Sequence, residues 1–283
     1  MLRDDAGRTV VLPAPAQRIV TLAPFLTELA FSAGAGARVV GRSAFSDYPP
    51  EAARLPEVAT AAGPSVEAIA ALHPDLVLAW RDAIRDEDVQ RLEAIGMRVF
   101  VARARGLDDP PRLLEAIARA VGGDASAGSA YRARIEALRI RHAGLAPMPV
   151  LLEIWHQPLT TLAGPHWINE ALATCGARNA FADLPGVAPA VPWELVHARQ
   201  PRVIVGAGSA ATPAAFEAQW RERPALQAVA AGRMVFVEGD LLQRPTLRLA
   251  LGVERLCAGL DAQREAARPS APPRSGPRAT PAP

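Results

Sequence analysis

Seven short runs dominated by Val, Ile and Leu recur along the chain, in RIVTLAP, ARVVGRS, PDLVLAW, MRVFVA, PVLLEIW, PRVIVGAG and RMVFVEG, with longer stretches of helical period between them. Runs this apolar have no polar face to turn to water. They must lie in sheets covered on both sides, the situation of parallel strands joined by helices. Four of the runs precede Asp108 and three follow Gly144. The segment between them has few strand-forming runs and places Leu113, Leu114, Ile117, Ala120, Val121, Tyr131, Ile135 and Leu138 at helical spacing. It reads as helix, broken near Gly122 and Gly123 and resumed from Ser126 to His142.

The fold class expected is α/β, in two lobes with central parallel sheets. A chain of 283 residues, half of them hydrophobic, is long enough for two such cores. The boundaries read as a first lobe over 1–122, a linking helix over 123–146 and a second lobe over 147–267. Residues 268–283, RPSAPPRSGPRATPAP, lose the apolar period to Pro, Ser and Ala and read as a disordered tail.

A weak internal repeat supports the division. Glu67 stands seven residues before Pro74, which runs into DLVL, and Glu194 stands seven before Pro201, which runs into RVIV. Glu28 lies six residues before Gly34, and Glu170 six before Gly176. The first pattern describes a short helix ended by proline and followed directly by a buried strand, used once per lobe.

Composition narrows the function. Lys plus Arg (31) nearly balance Asp plus Glu (29), for a formal net charge of +2 with no basic block, so nucleic acid is not an expected partner. Charges interrupt every apolar stretch before the roughly 20 residues of a membrane span. MLRDDAGRTVVLP puts charges where an export signal needs its apolar run, so the reading is a cytoplasmic chain or a truncated start. No GxSxG, HExxH or phosphate-loop pattern occurs, and Gly34-Ala-Gly36 lacks the third glycine of a dinucleotide fingerprint. No catalytic residue, metal site or cofactor is therefore assigned. Acidic pairs such as Asp108-Asp109 and Glu87-Asp88 read as solvated faces. Of the five histidines only His156 and His166 stand out, bracketing one loop. Cys175 and Cys257 are either buried thiols or a disulfide.

Tryptophan carries the most functional information. Trp80 ends PDLVLAW and Trp155 ends PVLLEIW, so each lobe puts a large aromatic at the carboxyl end of a parallel strand, where open α/β sheets bind ligands. Tyr48, in SDYPP, occupies a turn.

RIVTLAPFLTELAFSAGAGARVVGRSAFSDYPP, SVEAIAALHPDLVLAW, ATCGARNAF, RLCAGL and GDLLQR, between Arg18 and Leu260, resemble the class III periplasmic substrate-binding proteins of importers, most of all their cobalamin branch. The resemblance implies two lobes bridged by a single long helix that limits closure, and a monomer that binds a corrinoid without transforming it. Its cleft would be formed by Tyr48 and Trp80 from one lobe and Trp155, Asp240 and Arg244 from the other. Trp155 falls where the family has a phenylalanine. Ala61 and Ala188 stand where the family has further aromatics, with Trp193 a replacement after a local shift. The resemblance also implies a Cys175–Cys257 disulfide, a periplasmic location, and docking of Glu67 and Glu194 onto the permease of an ABC importer. Two alternatives stand beside it. One is a haem or iron-siderophore binder using His156, His166 or Tyr48; the other is a cytoplasmic α/β enzyme, motivated by the missing export signal.

Overall fold

In the computed structural model, which describes residues 1–208 and 210–267, every one of the seven apolar runs contains a strand. The Pro-rich tail expected over 268–283 lies outside the described residues. The first sheet runs, edge to edge, through Gly63–Pro64, Glu57–Thr60, Val39–Ser43, Ile19–Thr21, Leu76–Trp80 and Val99–Ala102. All its pairings are parallel except at the Gly63–Pro64 edge. The second, wholly parallel, runs through Ala177–Asn179, Met148–Glu153, Val203–Ala207 and Met234–Val237. Ile19, Leu76, Val77 and Leu78 in one sheet and Val150, Leu151, Leu152, Ile204 and Val205 in the other are wholly inaccessible, which explains why these runs carry no alternation. Glu57–Thr60 and Ala177–Asn179 are additional short strands that do not announce themselves, because EVAT and ARN lack an apolar run.

The middle segment forms two helices, Asp109–Val121 and Ala127–Arg141. Gly122, at φ +63°, is the left-handed residue that closes the first, a conformation that suits glycine. The first helix packs on Pro24–Ser32 of the first lobe, while the second packs against both it and Leu249–Ala266 of the second lobe. Ala127–Arg141 is therefore the bridge between lobes. Among the described residues no helix is long and apolar enough to cross a membrane.

The internal repeat has a backbone counterpart. Helices Val66–Ala71 and Trp193–Arg199 each lead through a proline into a central strand, and the residues before those prolines, His73 and Gln200, are both left-handed, at φ +46° and +42°. Proline disfavours the right-handed helical region for the residue ahead of it, so the helix has to end there. Glu28 and Glu170, the other repeated pair, both reach out of their own lobe. Arg248 of the second lobe donates two hydrogen bonds of 2.7 Å to Glu28. Glu170 accepts from the Leu107 backbone N–H and from Arg139, both at 2.8 Å.

Cys175 and Cys257 are buried and joined in a disulfide that ties the end of helix Trp167–Thr174 to helix Leu249–Ala266. In each acidic pair one member is exposed, Glu87 and Asp108, and the other departs from the solvated reading. Asp88 is 2% exposed and accepts from Arg85, while Asp109 accepts from the backbone N–H groups of Arg105 and Gly106. Asp88 can be buried because donors satisfy it locally, and Asp109, half-buried, is likewise satisfied by its own turn.

Candidate functional site

The carboxyl ends of the two sheets face each other across a cavity of about 480 Å³. Phe25, Phe45 and Trp80 line it from the first lobe, and Phe236, Glu238, Asp240, Gln243 and Arg244 from the second. Trp80 is the last residue of its strand, and its ring meets Phe25 edge to face at 5.7 Å. Its indole Nε1–H is buried, with no acceptor among the described residues. At the back wall Gly208, at φ +83°, lies so close to Gly239 that a Cβ would sit 2.5 Å from the Gly239 Cα.

Reading the sequence missed Phe25, Phe236, Glu238 and Gln243, and above all Phe45. Phe45 is 76% exposed and left-handed at φ +60°, a costly conformation for a bulky side chain. Four buried hydroxyls brace the loop beneath it: Ser43 bonds Ser46 at 3.0 Å, Ser46 bonds Thr27 at 3.0 Å, and Thr27 bonds Thr21 at 2.7 Å. The available signal was a phenylalanine inside the polar turn SAFSDYPP, where no apolar neighbour could cover it.

On the opposite wall the Arg244 guanidinium stands between Asp240, at 3.1 Å, and Asp47 of the first lobe, at 2.6 Å. The hydrogen bond from Arg244 holds the Asp47 carboxyl below its ordinary pKa. Its contribution to folding is complete above the ordinary aspartate range and is lost as pH falls below it.

The other expected cleft residues stand apart from this cavity. Tyr48, 42% exposed, lies under the Arg248 guanidinium, 3.7 Å from its ring centre, a cation–π contact beside the cleft. Trp155 lies beyond the strand end, because Met148–Glu153 stops short of it and the chain turns back to pair Trp155 with Thr160. It is 61% exposed and lines a neighbouring opening of about 350 Å³ with His156, Gln157, Gln219 and Glu222. Trp193 packs edge to face on buried Trp220, with the Arg223 guanidinium 4.2 Å from its ring centre. Ala61 and Ala188 contribute nothing to either opening.

The two histidines part company. His166 caps helix Trp167–Thr174 by accepting the Ile168 N–H on Nδ1, and its ring lies 3.8 Å from that of Trp167. That lone pair is committed to the backbone. Burial pushes its pKa down to about 4 from 6.5, so the unfolded chain binds a proton there before the folded one does. The stability that follows is complete above pH 6.5 and is lost as pH falls from 6.5 to 4. His166→Asn keeps a capping acceptor without a titrating ring, and should flatten the melting temperature across that window; an unchanged slope would show that other groups set it. His156 is held differently, with Nδ1 3.2 Å from the carboxylate of Glu153.

Glu67 and Glu194 are exposed, each in the first turn of its helix and one on each lobe.

The family model described as periplasmic binding protein matches residues 19–237. The chain belongs to the periplasmic binding protein family. Among relatives in that family, the vitamin B12-binding protein of Vibrio cholerae is 33% identical over 251 residues, covering 88% of this chain and 90% of that one. The crystal structure of the periplasmic vitamin B12 binding protein BtuF of Vibrio cholerae superposes with a TM-score of 0.82 at 32% identity, over 89% of this chain and all of that one. A periplasmic heme binding protein from Pseudomonas aeruginosa superposes with a TM-score of 0.71 at 26% identity, over 91% and 96% of the two chains.

Proposed function

We propose that this chain is the ligand-capturing subunit of an ABC importer, and that cobalamin or a related corrinoid is the molecule it captures. It binds the corrinoid as a monomer, in the cleft between lobes spanning 1–122 and 147–267 about the linking segment 123–146. It hands the molecule unchanged to a membrane permease. As in its family, there is no chemistry to perform and no resident cofactor. The disulfide supports work in an oxidising compartment, the periplasm.

One observation carries the ligand reading. A cavity walled by Phe25, Phe45 and Trp80 on one side and by Asp240, Gln243 and Arg244 on the other suits a large flat molecule fringed with amides. The relatives named for vitamin B12 point the same way. Trp80 and Phe45 are the expected anchors. Calorimetric titration with cyanocobalamin should show Trp80→Ala and Phe45→Ala each losing about 2 kcal/mol of binding free energy. Phe45→Gly should lose affinity without losing stability, because it removes a left-handed phenylalanine. Full affinity in both alanine variants would remove the cleft from consideration, and a parent chain that bound haemin in preference to cyanocobalamin would favour the haem reading.

Glu67 and Glu194 serve as the docking points. One acid at the start of a helix on each lobe fixes the orientation in which the permease is met. Glu67→Ala with Glu194→Ala should slow uptake in reconstituted vesicles while leaving ligand affinity intact; undiminished uptake would exclude them.

A further inference from the structure

Glu153 ends the second-lobe strand Met148–Glu153 and is wholly inaccessible to solvent. A carboxylate in such a place is costly unless donors satisfy it. The Trp220 indole N–H donates to Oε2 at 2.5 Å, and His156 Nδ1 lies 3.2 Å from Oε1. A carboxylate on Nδ1 fixes the tautomer with the proton there and the lone pair on Nε2, the arrangement found behind metal-bound histidines. The Nε2 atom is on the side of the ring away from Glu153, and His156 lines the opening beside the exposed ring of Trp155. Glu153 is paired in register with Gly206, two residues from the Gly208 that lines the main cleft. The opening and the cleft thus stand at neighbouring strand ends. A histidine that merely filled the core would not line an opening, and a surface histidine would not need a buried acid behind it.

From this arrangement we infer that His156 is an axial ligand for the cobalt of an aquated corrinoid. The inference rests on the corrinoid reading above and deepens it. The Co–OH2 bond breaks, a Co–Nε2 bond forms, and water leaves to solvent. Cobalt keeps its oxidation state, and the imidazole proton stays on Nδ1 facing Glu153. Trp155, whose indole N–H is tied to the Gln157 carbonyl at 2.8 Å, offers its ring to the same face of the macrocycle. Corrinoids whose upper position is closed by cyanide have no water to exchange and are held by the cleft alone.

Titration of the full chain with aquocobalamin and with cyanocobalamin, followed by absorbance and calorimetry, tests this. Aquocobalamin should bind with a shift of its absorption bands, as imidazole replaces water, and about tenfold or more tighter than cyanocobalamin. His156→Ala should abolish both the shift and the preference while leaving cyanocobalamin affinity unchanged, which also shows that the variant is folded. Glu153→Gln should retain the shift and weaken the preference by about tenfold. Aquocobalamin binding without a band shift, or with a shift that survives His156→Ala, would overturn the axial role and leave the corrinoid reading standing on cyanocobalamin. Failure of both corrinoids to bind the parent chain would overturn the corrinoid reading itself, and the axial role with it.

Discussion

Replacing Cys175 and Cys257 together by alanine is expected to lower the folding free energy by about 4 to 5 kcal/mol, on the chain-entropy account of a cross-link. The bond joins positions 82 apart in sequence. The loop it closes contains three of the four strands of the second sheet, Ala177–Asn179, Val203–Ala207 and Met234–Val237, so it restricts nearly the whole second lobe when unfolded. Alanine is the apt replacement because both positions are buried and a serine hydroxyl would need a partner there. Urea denaturation should show a lower midpoint for the double variant, and dithiothreitol should bring the parent to a similar value. Equal midpoints with and without the bond would mean that it contributes nothing to folding. Since the same bond is part of the argument for the periplasm, alkylation of both thiols in protein isolated from that compartment would weaken it.

The fold was legible because both sheets are buried on both faces and their strands are uninterrupted apolar runs. The short strand Glu57–Thr60 was not, since half of it is exposed and its pairing is set by neighbours on both sides rather than by its own pattern. Trp80, Asp240 and Arg244 could be named from strand-end position and resemblance, and all three line the cavity. Trp155 was expected at the carboxyl end of its strand but lies two residues past it, because the apolar run PVLLEIW outlasts the strand it feeds. Phe45 was out of reach for another reason. Its exposure depends on a backbone angle fixed by Thr21, Thr27, Ser43 and Ser46, and no local pattern says that these hydroxyls will meet. The glutamates of the repeat were visible in sequence, but their reach into the opposite half of the molecule depends on how the lobes pack.

Arg248→Ala is expected to destabilise the protein by about 3 to 5 kcal/mol, the usual cost of stranding one member of a buried ion pair. Glu28 is 3% exposed, and Arg248 supplies two donors to it, one to each carboxylate oxygen. The interaction is strong enough to raise the pKa of Arg248, chiefly through the hydrogen bond to Glu28. Removing the arginine leaves a carboxylate in the core of one lobe with its partner gone from the other. Two contributions can be separated, because the same guanidinium also covers the Tyr48 ring. If stranded charge dominates, adding Glu28→Gln to Arg248→Ala should recover most of the loss, since an amide is far cheaper to bury than a carboxylate. If lost packing over Tyr48 dominates, the second change should recover nothing. Urea midpoints of the parent, the two single variants and the double variant form the cycle that decides. Because the pair spans the lobes, its loss should also weaken corrinoid binding even where the variant is folded, by letting the walls of the cleft drift out of the register that places Arg244 opposite Trp80.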